Sequence, residues 1–140
     1  MTGVKRVMDQ FQFNFLASNL ARGEATLLEE RGDWTAALDA WQRFRRNDPA
    51  VMTANRDIAR ALRHLGRYDD AQRAIDEHLR TVPFAPESNV EAARIRLADG
   101  DSAGARTHLE RAAHMLEQAD AGQPLAMEVQ RLLAELNGGS

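Results

Sequence analysis

Glycines at positions 32, 66 and 100 lie thirty-four residues apart twice over, and each opens a short turn: Gly32-Asp33-Trp34, Gly66-Arg67-Tyr68 and Gly100-Asp101-Ser102. A fixed period of this length is the mark of a repeated supersecondary unit that cannot bury its apolar face alone and must stack on its neighbours. The pattern around each turn is helical, with apolar residues three and four apart on both sides of the glycine. The chain therefore reads as helical hairpins laid side by side. Its 140 residues suffice for one such stack and not for two ordinary domains.

Ala17, Leu20, Ala21, Ala25 and Leu28 form the stripe of the first hairpin's leading helix, which ends at Gly32. Asp33 is placed to cap the next helix, whose apolar face carries Trp34, Ala37, Leu38, Trp41 and Phe44. Asp48-Pro49 then reads as the start of the second hairpin, with Asp48 as N-cap and Pro49 in the first turn. That hairpin buries Ile58, Ala59, Leu62 and Leu65, then Tyr68, Ala71, Ile75, Leu79 and Val82. The third uses Ala92, Ala93, Ile95 and Leu97, then Ala105, Leu109, Ala112, Ala113 and Leu116. Here Ser102 stands where the other turns have an aromatic residue, and Gly104 costs a helix about 1 kcal/mol relative to Ala. This pair is expected to be the loosest of the three.

A glycine followed by an aromatic residue and then Ala three further on (Trp34/Ala37, Tyr68/Ala71), at a period of thirty-four, resembles the tetratricopeptide repeat. The resemblance covers roughly residues 18–119. It implies an all-α, right-handed superhelical solenoid of antiparallel helix pairs, and a scaffold that binds other proteins. The expected organisation is an amphipathic N-terminal helical segment over 1–16, three repeats over 17–119 (about 17–49, 50–83 and 84–119), a capping helix over 123–137 and a disordered tail over 138–140. The capping helix places Leu125, Val129, Leu132, Leu133 and Leu136 on one face, which suits the exposed end of a stack.

Residues 4–16 carry Val4, Val7, Met8, Phe11 and Phe15 on one helical stripe, with Phe13 and Leu16 beside it. So apolar a segment needs a partner surface. Two readings stand: an extension that covers the first repeat, or a self-association or docking surface built from Met8, Phe11, Phe13 and Phe15.

Chemistry is poorly supported. No cysteine is present, which excludes disulfides and thiolate ligation. His108 and His114 fall on opposite sides of one helix, and His114 with Glu117 makes only two ligands, so no metal or other cofactor is expected. Phosphate loops, zinc-protease motifs and nucleophile elbows are missing from the sequence. The expectation is a non-enzymatic protein.

Charge points elsewhere. The net charge is −3, yet residues 43–67 hold seven Arg against two Asp. In the resembled family the first helix of each repeat lines a concave groove. Carried over by repeat register, the inward positions are Asn19, Arg22, Thr26 and Glu29, then Arg56, Arg60 and Arg63, then Val90, Arg94 and Leu97. A basic groove beside apolar Val90 and Leu97 suits an acidic segment with a hydrophobic anchor. Family members that clamp the terminal carboxylate of chaperones want Asn or cations where this chain has Thr26, Asp57, Glu87 and Glu91, which argues against that ligand.

The expected function is thus a protein-binding adaptor. The alternative is an assembly subunit or homodimer acting through the Phe-rich segment, or a regulatory module of a larger protein. Nucleic acid is disfavoured because the basic stretch has no interleaved aromatics. No membrane insertion is expected, and Lys5 and Arg6 followed by Asp9, Gln10, Gln12 and Asn14 are too polar for a secretory core, so a cytoplasmic, bacterial-type protein is expected.

Overall fold

The structure, a computed structural model, describes residues 3–49 and 53–138. Seven helices run through them: α1 (Gly3–Glu30), α2 (Trp34–Asn47), α3 (Ala54–His64), α4 (Tyr68–Thr81), α5 (Pro86–Ala98), α6 (Ser102–Met115) and α7 (Pro124–Gly138). Each packs on its successor, and α3 also packs directly on α5.

The three glycine turns are one device used three times. Gly32, Gly66 and Gly100 have φ of 76°, 76° and 82°, a backbone region that residues with a β-carbon enter only at a cost. In each, the glycine N–H donates to the carbonyl three residues back, and the next residue's N–H reaches five back: Asp33 to Leu28, Arg67 to Leu62, Asp101 to Arg96. These bonds satisfy the last carbonyls of the leading helix and reverse the chain. Asp33 and Asp101 then cap the following helices through Ala36 N–H and Gly104 N–H.

Two buried clusters follow from this stacking. The first joins Trp41 and Phe44 of α2 to Ile58 and Leu62 of α3, Ile75 of α4 and Ile95 of α5. The second joins Val90 and Ala93 of α5 to Ala105 and Leu109 of α6 and Val129 and Leu132 of α7. Alanines at 37, 59, 71, 93 and 105 are fully buried, small side chains that let helices pack closely.

Three expectations are corrected. Asp48 belongs to the end of α2, not the start of α3: its N–H donates to Phe44 O, and the following proline holds it outside the helical region, at φ −141°. Helix α3 begins instead at Ala54, with Thr53 before it. Nor is the third hairpin loose. Val90, Ala93, Ala105, Leu109 and Ala112 are wholly buried, and Gly104 leaves room for the Arg96–Asp101 pair beside it: a β-carbon there would stand 2.6 Å from Arg96 Cδ and 2.8 Å from Asp101 Cγ. Finally, residues 3–16 do not cover the first repeat. They continue α1 without a break, and Val4, Val7, Met8, Phe13, Phe15 and Leu16 are all exposed. Among the described side chains, α1 presents buried positions from Ser18 onward. The side chain of Phe11, and residues 139–140 of the expected tail, lie outside the described residues.

One polar pair is sealed in this core. Asn89 donates through Nδ2 to the carbonyls of Ala85 and Pro83, which leaves its Oδ1 to accept from His108 Nδ1 at 3.2 Å. Burial, with the charges of Arg96 and Arg111, holds the His108 pKa below its ordinary value near 6.5 against the opposing Asp76 and Asp101.

Two outcomes are expected. Gly104→Ala should lower stability in urea denaturation by about 1 kcal/mol, although helix propensity alone predicts a gain of that size. The unfolded chain takes up a proton at His108 before the folded one does, so stability falls as pH drops below about 6.5. Across that window the loss should be shallower in His108→Gln, measured as unfolding free energy against pH.

Candidate functional site

The inner face of the stack is built from α1, α3, α5 and α7, and one residue type dominates it. Arginines at positions 22, 56, 60, 63 and 94 recur along these helices at helical spacing, the first two thirty-four apart, as are Arg60 and Arg94. Carboxylates of neighbouring inner helices meet three of them.

At the first step, Glu29 at the end of α1 accepts Trp41 Nε1 at 2.8 Å and Arg60 Nη2 at 2.8 and 3.0 Å. Arg60 also reaches Asp57 Oδ1 at 2.8 Å, so α1, α2 and α3 are tied through one carboxylate and one guanidinium. Burial raises the pKa of Asp57, with Arg60 and Arg56 opposing it. Burial disfavours the Arg60 cation too, but its bonds to Glu29 and Asp57 outweigh that and push its pKa up. At the second step, Arg63 of α3 grips Glu91 of α5 in a fork, Nε to Oε2 at 2.5 Å and Nη2 to Oε1 at 3.3 Å. Side-chain exposure is 18% for Arg63 and 3% for Glu91, so this pair is out of water. At the third, Arg94 of α5 meets Glu128 of α7 at 3.3 Å, and Arg131 holds the same carboxylate. The hydrogen bond from Arg131, and then that from Arg94, keep the Glu128 pKa low against burial.

The sequence-predicted groove residues therefore separate. Arg60, Arg63 and Arg94 are engaged within the protein, which corrects their reading as free anion contacts: the desolvated inner face supplies their counter-charges itself. Val90 is fully buried in the second cluster, because α7 closes over that end, and so does not line a groove. Leu97 is half-buried against the same cluster. Thr26 is exposed, with its hydroxyl donating to the Arg22 carbonyl. Arg22 is exposed, its guanidinium 5.4 Å above the Phe44 ring, and Arg56 is half-buried. Of the N-terminal set, Met8, Phe13 and Phe15 are 54%, 66% and 60% exposed and stand far along α1 from this face.

Asp57 and Glu91 were visible in the sequence only as residues unfit for a carboxylate clamp. Their thirty-four-residue spacing, one turn before Arg60 and Arg94, is the signal that marks them as internal partners. The Trp34–His64 stack, with centroids 3.7 Å apart and planes 2° from parallel, had no signal beyond the aromatic of the turn. A separate cleft of ≈ 650 Å³ between α6 and α7 is lined by Glu110, His114, Glu117 and Asp120 over Leu116 and Val129. Among the described residues no three His, Cys, Asp or Glu side chains gather as a metal site, and no helix is long and apolar enough to cross a membrane.

With helix pairs, glycine turns and inner face in view, the family comparison is decisive: residues 22–86 match the model of the tetratricopeptide repeat. Residues 22–86 carry tetratricopeptide repeat sequence, and the chain as a whole has an all-α solenoid fold like that of tetratricopeptide repeat domains. About three repeats and a C-terminal helix account for its seven described helices. Among solved structures, it is similar to the TPR2B domain of yeast Sti1 in its pHsp70 complex, at 19% identity and a TM-score of 0.78, over 89% of this chain and 99% of that one. It is also similar to the Yersinia enterocolitica type III secretion chaperone SycD in complex with a peptide of the translocator YopD, at 18% identity and 0.75, over 85% and 91%. The alternative dimer of SycD gives 18% identity and 0.78, over 86% and 91%. At these identities the likeness is one of fold. Comparison with curated proteins gives no match.

The buried second step sets a test of the inner face. Arg63→Gln leaves the Glu91 carboxylate without its partner and should cost roughly 3 kcal/mol of unfolding free energy, most of it recovered in Arg63→Gln/Glu91→Gln.

Proposed function

We propose that this protein is a non-enzymatic adaptor that holds an extended protein segment along the inner face of α1, α3 and α5. The observation that carries it is the set of charged cross-links that join α1 to α3 and α3 to α5, the helices that carry Arg22 and Thr26, one turn apart, then Arg56 and Leu97. Rigid, pre-ordered surfaces bind segments at lower entropic cost. Similar folds are seen with peptide partners, a YopD peptide on SycD and pHsp70 on the Sti1 domain, which supports the reading without naming a partner here.

A second reading has its own observation. The first four turns of α1 leave Val4, Val7, Met8, Phe13, Phe15 and Leu16 in water, and clustered exposed apolar side chains of this kind mark interaction surfaces. A second copy of the chain would cover them, and the similar chaperone SycD is described as a dimer.

One experiment separates them. Peptides enriched from a display library on the immobilised protein are expected to protect amides of α1 beyond residue 18, α3 and α5 from hydrogen exchange. Protection confined to residues 3–16, with a dimer in light scattering that dissociates when residues 1–14 are removed, would replace the adaptor with self-association.

A further inference from the structure

Helix α1 has three sides. Ala21, Ala25 and Leu28 on the first belong to the buried cluster of the opening hairpins. Arg22 and Thr26 occupy the second. On the third, Phe13, Leu16, Leu20 and Leu27 form a line at offsets of 3, 7 and 14, set by helical geometry roughly 120° round from the buried side. These four are 66%, 60%, 75% and 46% exposed. At the far end of the stack α7 closes the second cluster with Val129 and Leu132, and the line on α1 has no such cover.

Its spacing is that of a helix made to meet another helix. From Arg6 to Glu30 the positions of this line advance by three and four in strict alternation: Arg6 and Asp9, then the apolar four with Gly23 between Leu20 and Leu27, then Glu30. Those are the a and d positions of a coiled coil, held over about 36 Å. Arg6, Asp9 and Glu30 are exposed as well.

The line is complementary to itself when reversed. With two copies antiparallel about a two-fold axis at residue 18, each a position faces a d position. Leu16 then meets Leu20 of the second copy, Phe13 meets Gly23, and Arg6 meets Glu30, each contact made twice. Gly23 offers the room its opposite needs, since a β-carbon there would find nothing within 4 Å. Asp9 falls opposite Leu27 near the end of the contact, where its carboxylate reaches water. Parallel pairing instead sets Arg6, Asp9 and Glu30 each against its own like charge and leaves two glycines facing across a gap, so charge and shape both select the antiparallel pair.

We infer that the chain forms an antiparallel dimer through the Phe13, Leu16, Leu20 and Leu27 line of α1. This rests on the self-association reading and deepens it, moving the contact away from Val4, Val7, Met8 and Phe15, which lie toward the side of Arg22 and Thr26. Both inner faces stay open, and a bound protein that carries its segment in two copies gains from the pairing by effective concentration.

Sedimentation equilibrium of the full chain is expected to give a dimer. Leu20→Glu should raise the dissociation constant at least a hundredfold with helical content unchanged, because Leu20 is exposed in the single chain, whereas Val7→Glu should leave it within threefold. The chain contains no cysteine, so single nitroxide labels report the register directly. Labels at Asn19→Cys should stand close together across the pair, and those at Lys5→Cys about 30 Å farther apart. Equal separations at the two sites mean parallel pairing and overturn the proposal. A dimer broken by Val7→Glu and not by Leu20→Glu keeps self-association through α1 but overturns this line as its contact, and a monomer at every concentration removes both. The adaptor reading is tested apart from these, by display peptides that protect the inner face in Leu20→Glu as in the unaltered chain.

Discussion

The carboxylate of Glu29 is the point on which the stack turns. It receives the indole N–H of a buried tryptophan and the guanidinium of the next repeat, and so joins α1, α2 and α3 in one bonded set. Two further pairings, Arg63 with Glu91 and Arg94 with Glu128, repeat the join at each later step. Apolar burial supplies most of the energy that holds such helices together, but it is indifferent to small slides of one alanine-rich face over another. Charged partners are not indifferent. A guanidinium withdrawn from water tolerates no loss of its carboxylate, so each pairing penalises any shift in register between repeats.

The same economy shapes the face offered to a partner. A row of arginines read one by one suggests a strongly basic groove, whereas read together with Glu29, Asp57, Glu91 and Glu128 it is close to charge-balanced. Specificity then lies in where charge is left over rather than in how much there is. An almost neutral inner surface also weakens long-range steering of acidic chains, leaving local geometry to choose among them.

The fold was legible because its rules are local. Gly32, Gly66 and Gly100 announce turns that need a positive φ, and the stripes around Ala25, Trp41, Ile58, Ile75 and Leu109 name the faces that pack. Where the sequence misled, a residue had been weighed alone. Gly104 looked like a weak point until Arg96 and Asp101 closed around it, and Asp48 looked like a cap until the proline after it was taken into account. Periodicity set the groove arginines at helical spacing, but the engagement of Arg60, Arg63 and Arg94 depends on partners twenty-eight to thirty-four residues away, which helical periodicity cannot reveal. Only the repeat register contains that information, and it becomes readable once Asp57 and Glu91 are compared with each other instead of with an ideal clamp.

Helix α1 spans 28 residues, roughly 42 Å at 1.5 Å per residue, and in its first half Val4, Val7, Met8, Phe13, Phe15 and Leu16 are exposed. A free peptide of that half would be mostly coil, since starting a helix is costly and short helices in water are marginal. Here the start is already made: the packed half acts as a seed, and each added residue faces only the cheaper step of propagation. The exposed half is thereby a spring-loaded template, apolar and already wound, whose ordering entropy has been met by the repeat behind it.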